Sequence, residues 1–202
     1  MLVIVAGPSA AVLLPSEWTA DDVREFRVWL SESLSPDGDS WWVLREPRKL
    51  DMAEPSPKTG PMLIEPNAYE PDDADEEACL TRAAGLLPIT QIVLAAAVNG
   101  KDDHRLLAQL AVAIARRYGG LIDLDGTLPV PPPPDVSALS ALKSGTGRRR
   151  WEERSRATIA TLHGRWHEIP YRTAWDEVAV RHIVDADLLA SWLQHPLFQM
   201  VK

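Results

Sequence analysis

Residues 102–118 carry the pattern that most restricts what this chain folds into. Leu106, Leu107, Leu110, Ala111, Ile114 and Tyr118 recur at helical spacing behind two acids, Asp102 and Asp103, which suit the positive end of a helix dipole. Gly119 and Gly120 supply the C-cap, since glycine enters the left-handed conformation that ends a helix at little steric cost. So apolar a stripe must be buried against another layer. The apolar segments on either side, 89–98 and 121–124, read as strands, so the chain requires a sheet with a long helix lying on it.

Other elements extend this unit. Residues 2–6 read as a buried strand that resumes over 11–14 after the Gly7-Pro8 turn. Thr19 opens an N-cap with acids behind it, Val23, Phe26, Leu30 and Leu34 follow at helical spacing, and Ser35-Pro36-Asp37-Gly38 ends that helix. Strands are expected at 41–44 and 62–64, separated by a Pro-rich, charged loop over 47–60. A short helix then runs through Leu86. Beyond the long helix, prolines and then Arg148–Arg150 mark 129–150 as a surface loop or insert. Segments 157–173 and 177–184 read as strands, and Asp185 caps a last helix that turns Leu188, Leu189, Trp192 and Leu193 inward. The expectation is a single α+β domain over 1–202, with a mixed, largely antiparallel sheet and helices packed mainly on one face.

Composition removes several functions. A net charge of -8 opposes sequence-independent nucleic-acid binding, which needs a positive surface to displace counterions. Cys79 is the single cysteine, so neither an intramolecular disulfide nor a cysteine-based zinc cage can form, which fits a reducing cytoplasm. The apolar start, MLVIVAGPSAAVLL, lacks a basic flank and is broken by Gly7-Pro8, so it reads as strand and turn rather than as a signal peptide. No stretch approaches the ~18 apolar residues that a membrane span needs, and no membrane partner is expected.

Few residue patterns carry chemistry. The string Leu121-Ile122-Asp123-Leu124-Asp125-Gly126-Thr127 resembles the first motif of haloacid-dehalogenase-type phosphatases. That resemblance implies Asp123 as nucleophile and Asp125 as general acid/base, at the end of a central parallel strand with magnesium beside it. The flanks read differently. Only two apolar residues precede Asp123, and Pro129 and Pro131–Pro134 follow where that family has a helical turn. The adopted reading is a short strand ending in an Asp-Gly turn, with the phosphatase as the alternative.

His163, His167, Glu168, Asp176 and His182 lack the spacing of a metal motif, and His104 sits in a helix first turn. Arg148–Arg150, Arg154 and Arg156 are interrupted by Glu152 and Glu153, and read as a solvated face. No phosphate-cradling glycine motif occurs. No catalytic, metal or cofactor residue is therefore assigned, and no cofactor is expected. The feature left is acidic. Seven carboxylates and no basic residue occupy 65–77, and Asp72, Asp73, Asp75, Glu76 and Glu77 form its dense end. Such a surface steers association with a basic partner protein, and these five are the candidate partner-binding residues.

Three strings carry a wider resemblance: KDDHRLLAQLAVAIARRYGGLIDLDG from Lys101, IPYRTA from Ile169, and DADLLASWLQHPLFQMVK from Asp185. They resemble an uncharacterised family of high-GC bacterial proteins about as long as this chain. In type, the chain is similar to the small acidic immunity proteins that neutralise polymorphic toxins. The resemblance implies a non-catalytic cytoplasmic binding protein whose partner is another protein, a basic toxin domain, and it transfers no functional residue.

Overall fold

The long helix and its flanking strands form as the stripe requires. In the computed structural model, which describes residues 7–52, 58–71, 74–85, 87–131, 145–172 and 178–201, the order is β1 (Ser9–Leu14), α1 (Ala20–Leu30), β2 (Leu34–Pro36), β3 (Trp41–Leu44), β4 (Met62–Ala68), α2 (Ala74–Ala84), β5 (Thr90–Ala96), α3 (Lys101–Tyr118), β6 (Leu121–Asp123), α4 (Gly145–Ile159), β7 (Trp166–Arg172), β8 (Val178–Val184) and α5 (Ala186–Leu193). The strands form one sheet in the order β2-β3-β4-β5-β1-β6-β8-β7. Every pairing among the described residues is antiparallel. The fold is α+β, as expected. The expected strand over 2–6 and the loop over 132–144 lie outside the described residues.

Side-chain alternation divides the sheet into two unequal faces. Val12 and Leu14 on β1, Ile92 and Leu94 on β5, Met62 and Ile64 on β4, Ile122 on β6 and Val184 on β8 all point to the face covered by α1, α3 and α5. There they meet Leu106, Leu110 and Ile114 of α3 and Trp192 of α5, all essentially inaccessible. Trp18, Phe26, Trp29 and Tyr118 pack edge-to-face or stacked between α1 and α3, with Trp18 and Tyr118 at 4.9 Å between ring centroids. On the opposite face, Leu13, Ile183 and Ile169 meet Leu80 of α2 in a small second core. Among the described residues, helices lie mainly on one face, and α2 is the exception.

Four boundaries differ from the sequence expectation. Helix α1 stops at Leu30, and Leu34 belongs instead to β2, where it pairs with Leu44 and is 1% exposed. The loop over 47–60 contains a 3-10 turn, Pro47–Leu50, that buries Leu50. Strand β4 continues to Ala68, because Glu65–Ala68 find a full ladder on β5. The largest difference is α4, which occupies the end of the expected loop and the start of the expected strand over 157–173. Its inward positions, Gly147, Trp151, Ser155 and Ile159, fall every four residues, but only two are apolar. Helical periodicity in hydrophobicity is therefore faint there, and tertiary burial overrides it.

Both sheet edges are blunted. β2 has three residues and ends in Pro36, and β7 carries Pro170, which cannot donate to a further strand. The acids at the start of α3 work locally. Asp103 accepts from the Gly60 and Gly100 amides at 2.8 Å each, and Asp102 from Lys58 at 3.0 Å, which ties the 58–60 segment to the helix N-terminus.

Candidate functional site

The Asp123–Thr127 string starts where α3 ends. Gly119 caps the helix at φ 74, and Gly120 lets the turn lie directly on β1, since a Cβ there would sit 2.7 Å from the Leu13 carbonyl oxygen. Strand β6 follows with three residues, antiparallel to β1 on one side and β8 on the other. Alternation sends Ile122 into the main core and Asp123 to the face under α2. Arg181 reaches the same face of β8, two residues from Ile183, the partner of Asp123 in the ladder.

A buried ionic cluster forms there. Arg181 pairs with Glu76 of α2 through its Nη2, and its Nε lies 3.2 Å from Asp123 Oδ2 without pointing at it as a hydrogen bond. The Tyr69 hydroxyl, just past β4, donates to Glu76 Oε1 at 2.6 Å. Asp123 Oδ1 accepts the Asp125 amide at 2.9 Å. Asp125 stands in the left-handed region at φ 57, and its Oδ2 accepts from Ser9 Oγ at 2.8 Å. Asp123 is therefore buried among internal partners, whereas Asp125 is exposed and bonds Ser9 at the surface.

Electrostatics follow from burial. Desolvation pushes the Asp123 carboxyl up to about 6, against the opposing pull of the Arg181 guanidinium and the Asp125 amide. Burial, reinforced by the hydrogen bond to Glu76, holds the Tyr69 phenol protonated well above its ordinary range. Burial alone would lower the Arg181 guanidinium, but the Asp123 and Glu76 carboxylates outweigh it and raise it. The donor set does not suit a divalent cation, because a guanidinium already occupies the space between the two carboxylates. Nor does the geometry suit the phosphatase. Its motif needs the end of a parallel strand, whereas β6 is antiparallel on both sides, and its first aspartate here is 6% exposed.

The rest of the loop is strapped down through its backbone. Leu124 donates to the His182 carbonyl, and the His182 amide donates to Gly126. His182 Nδ1 accepts the Leu128 amide at 3.0 Å, so its Nε2 carries the proton and faces Glu168 Oε1 at 3.3 Å. Arg156 of α4 donates to the same Glu168 oxygen at 2.6 Å. Ser155, Gln199 and Trp151 Nε1 donate to the carbonyls of Leu128, Pro129 and Val130 in turn. His182 has no accessible surface, and burial lowers its imidazole below the ordinary value, which keeps it neutral. It is a fastening, with both nitrogens in use. Beside this strapped loop, α4, β7, β8 and residues 199–201 close around a pocket of about 370 Å³.

Known proteins add one finding to this geometry. The family of unknown function DUF6368 matches residues 6–202. The chain belongs to that family. No curated protein and no solved structure matches it. Membership of DUF6368 agrees with the expectation of an uncharacterised domain, and it brings no activity with it.

The acidic residues of the DUF6368 chain separate. Glu76 was expected on an exposed, flexible surface; it is 3% exposed and forms the buried pair with Arg181, because Leu80 one turn on pulls that side of α2 onto the sheet. Glu77 is exposed on the outer side of α2. Asp75 lies in the same helix, its side chain outside the described residues, as are Asp72 and Asp73. Sequence reasoning missed Arg181, Tyr69, His182 and Glu168 as parts of the loop's support. The available signal was alternation on β8, which puts Arg181 and Ile183 on one face. The histidines do not converge. His163 lies in the turn before β7 and His182 is buried on β8, and no metal-binding group of three such side chains exists among the described residues.

Proposed function

We propose that this chain is a non-catalytic protein that binds and neutralises a basic protein partner, in the manner of a toxin-directed immunity protein. One observation carries the reading: Glu77 stands exposed on α2, a helix that a buried ion pair holds to the sheet. A carboxylate mounted on a fixed element loses little freedom on association, so its charge serves encounter with a basic partner. The overall charge of -8 acts in the same direction at longer range. The Asp123–Thr127 loop supports the reading from the other side, since its two carboxylates are engaged with Arg181 and Ser9.

The test uses the product of the gene immediately upstream. If that product is a basic toxin domain, co-expression of this chain abolishes its toxicity, and the two purified proteins associate more slowly as salt rises to ~0.15 M, where the Debye length is about 8 Å. Neutralising Asp72, Asp73, Asp75 and Glu77 together slows association and leaves dissociation nearly unchanged. An association rate equal to wild type across that salt range removes these carboxylates from the interface.

A further inference from the structure

The pocket beside the DGT turn is built from segments distant in sequence. Thr127 comes from the turn, Trp151 and Glu152 from α4, Tyr171 from β7, Val180 from β8 and Val201 from the C-terminal tail. At about 370 Å³ it lies at the small end of the range that specific ligands occupy. Two of its walls are held by hydrogen bonds. Trp151 is immobilised by the 2.7 Å bond from its indole N–H to the Val130 carbonyl, and the turn behind Thr127 is held by His182 and Gln199.

We propose that this pocket receives an arginine side chain of the partner protein, with the aliphatic stem against Val180 and Val201 and the guanidinium at Glu152. Charge selects the occupant. Glu152 is the one charged residue among the described lining residues, it is half-buried, and none of the ion pairs or hydrogen bonds among the described residues engages it. An anionic ligand meets that carboxylate with no cation in the described lining to offset it. A purely apolar ligand strips water from it without replacing the hydrogen bonds, which costs free energy. A cation on an apolar stem satisfies both parts of the lining. Arginine does so better than lysine, because its planar guanidinium stacks on aromatic rings while forming a paired contact with a carboxylate, and Trp151 lines the pocket beside Glu152. The identification of the occupant as part of a protein rests on the proposed binding function; the cation selectivity of the pocket does not.

The experiment titrates the whole protein with N-acetyl-arginine-methylamide while following backbone and indole amide resonances. Two controls have the same backbone: the citrulline analogue, which keeps the shape and removes the charge, and the norleucine analogue, which keeps the stem alone. The expected result is saturable shifts at Val180, Val201 and the Trp151 indole, with the arginine probe binding roughly fivefold or more tightly than either control. Glu152→Gln, a conservative change on a half-exposed helix position, should bring the arginine probe to the citrulline level with an unchanged circular dichroism spectrum. Equal binding of the three probes, or no saturable shift at these residues, overturns the proposal. In the complex with the toxin, wild-type dissociation of Glu152→Gln also overturns it while leaving the binding function standing. Arginine-selective binding by a protein that neutralises no toxin upholds the pocket and sinks the immunity reading.

Discussion

Glu76 and Arg181 stand 105 positions apart in the chain and meet in an ion pair whose side chains are 3% and 14% exposed. It fastens α2, which among the described helices lies alone on its face of the sheet. Removing one member of such a pair strands the other charge in a desolvated site. Arg181→Met leaves two buried carboxylates, Glu76 and Asp123, without a counter-ion. Urea unfolding should show a loss of roughly 3–5 kcal/mol. The same substitution made on a Glu76→Gln/Asp123→Asn background should cost much less, and strictly additive losses would show that the cluster is not coupled.

The pH dependence of stability separates two groups of opposite sign. Asp123 has a folded pKa of about 6, above its ordinary carboxylate value, so its contribution is full below the unfolded pKa and is lost as pH rises through about 6. His182 is lowered by burial, so its contribution is full above its ordinary value and is lost as pH falls through the folded pKa. Acidifying from neutral to pH ~5 should therefore stabilise wild type relative to Asp123→Asn by on the order of 1–3 kcal/mol. Parallel stability curves for the two proteins would show that Asp123 titrates normally.

Core packing of α3 gives a calibrating measurement. Leu110 is 1% exposed and lies between the sheet and its neighbours on the α3 stripe. Leu110→Ala should cost roughly 2–5 kcal/mol in chemical denaturation, through lost burial and the cavity left behind. A cost below ~1 kcal/mol would mean that the main core relaxes around the gap.

Catalysis by the DGT loop has a direct assay. With magnesium present, the purified protein should hydrolyse a generic aryl phosphate no faster than buffer, and Asp123→Asn should leave that background unchanged. Magnesium-dependent turnover that disappears in Asp123→Asn would restore the phosphatase.

Local pattern alone determined the elements whose burial is written in neighbouring residues. The α3 stripe and its Gly119 cap, the Thr19 and Asp185 N-caps, and the apolar run that became β5 could each be read without knowing the partner layer. The fold class followed, because a long helix flanked by strands admits few arrangements. The tertiary structure decided everything that depends on residues far apart in sequence. Helix α4 owes its place to Trp151 and Ser155 meeting the strapped loop, since its own sequence presents only two apolar inward positions. The fate of the carboxylates was equally non-local. Glu76 and Glu77 are adjacent and chemically alike, yet one is buried against Arg181 and the other faces water. No property of residues 65–77 distinguishes them; the distinction arises when β8 brings a guanidinium beneath one side of α2. Asp123 looked like a nucleophile for the same reason. A motif fixes which residues are close along the chain, and only the sheet decides that its strand runs antiparallel and that its carboxylate meets a cation.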